Sequence, residues 1–152
     1  MHKSKTFGSR MGAPGWLAGA ALCVSLILTA CSGKVSDDSI RYLRAGDLAR
    51  WVAKTPDKYL IIDSRGPEAY DQGHIPGARR MTLPELDPEN LDPDWSRYSA
   101  IIVYGADPGS EVARAMTKRL IKAKLTEVYQ LEGGMLAWKS SGGQVVSFGA
   151  NP

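Results

Sequence analysis

Cysteine is nearly absent from this chain of 152 residues: Cys23 and Cys31 are the only two, and both precede residue 32. Everything downstream therefore lacks a thiol for a disulfide, a thiolate metal ligand or a cysteine nucleophile. Acidic residues are missing from the first thirty positions, where Lys3, Lys5 and Arg10 account for the whole formal charge of +3. The sequence pI near 8.9 thus describes a basic N-terminus and not a basic surface, which excludes the electrostatic footprint of a nucleic-acid partner. Internal repeats and low-complexity blocks are missing too, and 43% apolar with 23% charged residues reads as one compact domain plus an appendage.

The appendage has the layout of an export signal. After the basic start, the stretch from Gly15 to Ala30 is uncharged and largely apolar, too short for a spanning helix. It ends Leu28-Thr29-Ala30-Cys31, which resembles the lipobox of bacterial lipoproteins. That resemblance implies removal of residues 1–30, Cys23 with them, and a diacylglyceryl group on the Cys31 sulfur that holds the protein at a membrane. The expected location is extracytoplasmic, facing the periplasm or the cell exterior. Ser32 stands where an Asp often marks inner-membrane retention in Gram-negative bacteria, so in such a host the outer membrane is expected. An uncleaved N-terminal helix and ordinary cleavage after Ala30 stay open as alternatives. Residues 31–39 read as the lipidated cysteine and a flexible tether, residues 40–142 as the domain, and residues 143–152 as a tail that either packs on the domain or hangs free, its glycine and proline favouring fraying.

Within the domain, Tyr59 to Asp63 and Ala100 to Tyr104 are continuous apolar runs, as expected of strands buried on both faces of a parallel sheet. Shorter strands are expected at Arg41–Leu43, Ala78–Met81 and Val128–Leu131. Helical periodicity lies between them. Asp47 to Ala53 groups Leu48, Trp51 and Val52, and Glu111 to Lys122 lines up Val112, Met116, Leu120 and Ile121, with Ser110 as a natural N-cap. Alternation with short connections predicts an α/β domain with a mainly parallel sheet covered on both faces.

Three segments together resemble the rhodanese superfamily: Leu60 to Ala78, carrying Asp63-Ser-Arg65 and Gly73-His74-Ile75-Pro76-Gly77-Ala78; Ile101 to Gly105; and Val128 to Trp138, carrying Leu131-Glu-Gly-Gly134. The resemblance spans most of residues 40–142. It implies a rhodanese-like three-layer sandwich with a central sheet of about five strands. It also implies scaffold roles for the motif residues. Asp63 and Arg65 are expected to satisfy loop backbone and to pair with an acid such as Glu68, since unpaired buried charge is costly. His74 invites a general-base reading, but between Gly73 and Ile75-Pro76-Gly77 the preferred role is local bonding that fixes a turn. Gly133 and Gly134 are expected to open the last helix and Trp138 to enter the core. The acidic stretch from Asp87 to Asp94 lacks the glycine and terminal glutamate of a calcium loop. No metal or cofactor is expected.

In active members of that superfamily the strand equivalent to Ile101–Tyr104 delivers a cysteine to a six-residue loop, whose amides and following helix encircle the sulfur. The corresponding loop here is Gly105-Ala106-Asp107-Pro108-Gly109-Ser110, with Gly105 in the place of the nucleophile. Pro108 removes an amide donor and Asp107 adds negative charge to a cradle meant for anions. Ser110 has no evident base, and phosphatase relatives of the fold need a loop cysteine as well. Two readings follow. The first is a non-catalytic module that binds a partner protein or small ligand at the retained cleft. The alternative is a sulfurtransferase or sulfur-carrier component of a periplasmic sulfur pathway that handles sulfur with a partner's thiol or by an unrecognised residue.

Overall fold

A computed structural model describes residues 33–148; the readings of the signal segment, Cys31 and the last four residues fall outside them. The elements run β1 (Arg41–Leu43), α1 (Ala45–Lys54), β2 (Tyr59–Asp63), α2 (Pro67–Gln72), β3 (Arg79–Arg80), β4 (Ala100–Tyr104), α3 (Glu111–Lys122), β5 (Val128–Leu131) and α4 (Gly134–Ser140). The strands form one parallel sheet in the order β1-β5-β4-β2-β3. β4, at its centre, is buried at all five positions, which is why its sequence is an unbroken apolar run.

Alternation along the strands divides the interior into two cores. Ile61, Ile102 and Tyr104 face the side covered by Leu48 of α1 and Met135 and Trp138 of α4. Leu60, Ile62, Ile101 and Val103 face Ala113, Met116 and Leu120 of α3, with Trp95 and Leu86 closing that layer. The α/β sandwich expected from the sequence is the architecture observed.

Some boundaries differ for physical reasons. α1 begins at Ala45, ahead of the expected Asp47, because the Arg44 carbonyl already accepts from the Asp47 and Leu48 amides. β3 shrinks from Ala78–Met81 to two residues because Ala78 closes a turn onto the Ile75 carbonyl through Gly77, which sits at φ +78°. Asp37–Ser39, read as tether, forms a 3₁₀ turn whose Asp37 pairs with Lys118 of α3, so folded structure starts ahead of Ile40.

The tail reading needs correction for residues 143–148, which fold back on the domain. Gly143 crosses the face of the Trp138 ring, where a Cβ would lie 2.6 Å from the indole nitrogen. Trp138 Nε1 donates to the Gln144 carbonyl at 2.8 Å. His74 and Val146 exchange both backbone hydrogen bonds, at 2.8 and 3.0 Å. These pairings supply partners for backbone groups that a frayed tail would leave to water.

Candidate functional site

The carboxyl ends of β2 and β4 lie side by side, with Asp63 in register with Tyr104, and a polar knot forms where they stop. Asp63 is fully buried. Its Oδ1 accepts from the Arg65 amide at 3.0 Å and from Arg65 Nε at 2.9 Å, while Oδ2 accepts from Arg65 Nη2 at 2.6 Å. The same Nη2 donates to the Gly73 carbonyl at 2.7 Å, tying the end of β2 to the turn after α2. The expected partner Glu68 is instead exposed on α2. A carboxylate two residues before the arginine folds back on both its amide and its fork, a bidentate geometry that a distant acid cannot better.

Tyr104 completes the knot, a role the sequence reading did not assign. Its hydroxyl donates to Asp63 Oδ2 at 2.6 Å and accepts from the Ile75 amide at 3.2 Å. Burial, with the Asp63 charge behind it, pushes the phenol well above its ordinary pKa, so the group stays a neutral donor. Burial also opposes the Arg65 charge, but the adjacent carboxylate outweighs it and raises that pKa above the ordinary value. The available signal was a tyrosine ending an aliphatic strand: its polar tip needs a partner when the ring is buried.

Beyond Tyr104 the chain turns through the loop Gly105–Ser110 into α3. Gly105 is buried and residues 106–109 are exposed. The loop is held from below by α4: Met135 N donates to the Gly105 carbonyl and Leu136 N to the Ala106 carbonyl, both at 2.9 Å. Gly133 and Gly134, at φ +71° and +57°, make this approach possible, since a Cβ on Gly134 would stand 2.6 Å from the Gly105 oxygen and 3.0 Å from the Asp107 nitrogen.

The loop also satisfies itself. Asp107 Oδ1 accepts from the Gly109 amide at 2.8 Å, and Ser110 Oγ caps α3 by accepting from the Ala113 amide at 3.4 Å. The Ser110 side chain fills the space next to Gly105: a Cβ there would overlap Ser110 Oγ and Cβ, and would lie 3.3 Å from Ala113 Cβ. The amides that begin a helix attract anions, and here two of the local donors are directed at oxygens of the chain itself.

His74 is buried. Its ring stacks on Tyr70 with centroids 3.8 Å apart, and Nδ1 lies 2.9 Å from the Tyr70 carbonyl. A carbonyl only accepts, so Nδ1 carries the hydrogen. In the acidic stretch, Asp87 and Asp92 spend a carboxylate oxygen each on the amides of Glu89 and Asp94, at 3.0 and 2.9 Å.

A doubly covered parallel sheet, one loop raised at its carboxyl edge and a double-glycine turn propping that loop define a class of α/β domain built to present a short backbone cradle. Comparison with known proteins then gives the family. The model of the rhodanese-like domain matches residues 45–141, and the chain belongs to that family. It is 24% identical over 82 residues to the thiosulfate sulfurtransferase GlpE of Pseudoalteromonas translucida, covering 54% of this chain and 74% of that protein. The solution structure of the rhodanese-like domain of Anabaena Alr3790 superposes with a TM-score of 0.57 at 27% identity, over 73% of this chain and 83% of the other. A Rhodopseudomonas palustris protein described as a possible tyrosine phosphatase shares the fold at TM-score 0.62 and 24% identity, covering 72% and 87%.

Proposed function

We propose that this protein is a rhodanese-like module that binds a partner or ligand without transferring sulfur, held at the extracytoplasmic face of a bacterial membrane through lipid on Cys31. The observation that carries the reading is the occupancy beside Gly105. By resemblance that residue stands where active members carry their cysteine, and the room a cysteine side chain would need is taken by Ser110. No cysteine follows Cys31, so the domain has no thiol to attack sulfane sulfur and hold the persulfide.

The test is thiosulfate-to-cyanide sulfur transfer by the full chain in detergent. The wild-type protein is expected to show none. Gly105→Cys alone should also be inactive, and less stable by about 1–3 kcal/mol because the new Cβ is forced into Ser110. Gly105→Cys combined with Ser110→Gly restores the space and should take up one sulfur atom, visible by mass spectrometry. Turnover by the wild-type chain alone would overturn the binding reading in favour of a sulfurtransferase that uses an unrecognised residue of its own, the direction in which the name of the GlpE relative points.

The anchor has its own check. Wild-type protein should fractionate with membranes and incorporate a labelled fatty acid, and Cys31→Ser should lose the label and appear in the soluble fraction. One acyl chain binds only marginally, so stable attachment needs more than one. An unlabelled wild-type chain would rule out the lipid.

A further inference from the structure

Along the β3 edge of the sheet an open cleft of about 780 Å³ lies beside Tyr59 and Ile61 of β2 and Arg79 of β3. Its floor is apolar, with Val52, Tyr59, Ile61 and Pro76, and its rim carries Arg79 and Arg97 on either side of Tyr98. Arg79 Nη2 and Arg97 Nη2 both donate to the one Tyr98 hydroxyl, at 3.0 and 2.8 Å. Their guanidinium carbons stand 5.9 and 4.8 Å from the centroid of the tyrosine ring. Two like charges are thus gathered at one oxygen, and among the described residues no ion pair joins either to a carboxylate. Asp92 and Asp94 act on Arg97 only through space, and Asp57 is the one acid on the cleft wall.

Holding two cations this close costs energy unless an anion joins them. Each guanidinium presents five N–H donors in a planar fork, and one nitrogen of each is committed to the tyrosine. The remaining donors can take a carboxylate or phosphate in the charge-assisted, two-toothed manner such forks favour. The volume falls within the range of small-molecule sites, about 300–1,000 Å³, and the mix of apolar floor and a few convergent polar groups is characteristic of them.

We propose that this cleft binds a small organic oxyanion, its carboxylate or phosphate held between Arg79 and Arg97 and its apolar body lying on Val52, Tyr59 and Ile61. The site shares no residue with the Gly105–Ser110 loop, so it stands or falls independently of the function proposed above.

The experiment is a titration of the full chain with phenyl phosphate and, separately, inorganic phosphate, followed by the ¹⁵Nε signals of the arginine side chains. Saturable shifts at Arg79 and Arg97 are expected, with phenyl phosphate binding about tenfold tighter because its ring covers the apolar floor. Arg79→Gln and Arg97→Gln should each weaken binding about tenfold or more, with unchanged melting, since both side chains are exposed. Lys58→Gln, at a position that does not line the cleft, should bind as wild type. Shifts that rise linearly without saturating, or equal affinity in the arginine variants, would overturn the site. Equal affinity for the two phosphates would overturn its organic half.

Discussion

Asp63→Ala is expected to lower the free energy of unfolding by about 3–5 kcal/mol, the range for a buried ion pair that loses one partner. The magnitude follows from how many groups depend on one carboxylate. Without it, Arg65 keeps a charge at 11% side-chain exposure with the Gly73 carbonyl and the face of the Tyr104 ring, but no anion, to answer it. The Tyr104 hydroxyl loses its acceptor inside the core, and the Arg65 amide loses its cap. Each orphaned polar group adds its own penalty of about 1–3 kcal/mol, although these overlap and do not sum. Asp63→Asn separates charge from shape. It can still accept from the Arg65 amide but cannot balance the guanidinium, so it should fall between wild type and alanine. Urea unfolding followed by tryptophan fluorescence measures all three. A loss under about 1 kcal/mol for alanine would mean that the knot is ornamental.

Gly134→Ala should cost about 2–5 kcal/mol and loosen the loop at the same time. The left-handed backbone at φ +57° costs an alanine about 1–2 kcal/mol, and the forced overlap adds about 1–3 kcal/mol. Backbone atoms stand in the way, the Gly105 oxygen at 2.6 Å and the Asp107 nitrogen at 3.0 Å, and these cannot swing aside as a side chain would. Relief requires α4 to withdraw, which breaks the bonds from Met135 and Leu136 to the loop carbonyls. Hydrogen exchange should therefore accelerate at those two amides above all. Gly46→Ala is the control, because Gly46 lies inside α1 at ordinary φ with nothing near its missing Cβ, and it should hold or gain stability. Unchanged exchange at Met135 and Leu136 in Gly134→Ala would refute the account of the turn as a prop.

The sequence made the frame readable because the frame depends on period and burial. β2, β4, β5 and α3 have the bounds expected of them: β2 and β4 are unbroken apolar runs, α3 has helical spacing behind its Ser110 cap, and β5 ends where the Gly133-Gly134 turn begins. β3 was overestimated because an edge strand's length is decided by where its partner stops and by the Gly77 turn, neither of which alternation records. The candidate loop could be placed by its distance after β4, and Ser110 by its capping chemistry. What could not be read was contact across the fold. That Asp63 satisfies its own neighbour Arg65, that Tyr104 bridges two strands' ends, and that the Ser110 side chain stands against Gly105 are facts about orientation, set by packing. The tail was misjudged on composition: Gly143 is there to pass an indole ring and not to loosen the chain.

All five strands point the same way, and this gives the molecule a direction as well as a shape. The arginine cleft opens along the β3 edge, with Arg79 level with Ile62; the chain enters β1 at the amino pole and the loop stands at the carboxyl pole. The five residues of β4 set roughly 17 Å between them at about 3.3 Å per residue. An anion in the cleft would touch none of the loop's residues. Whatever docks at the far pole need not compete with it for a single side chain.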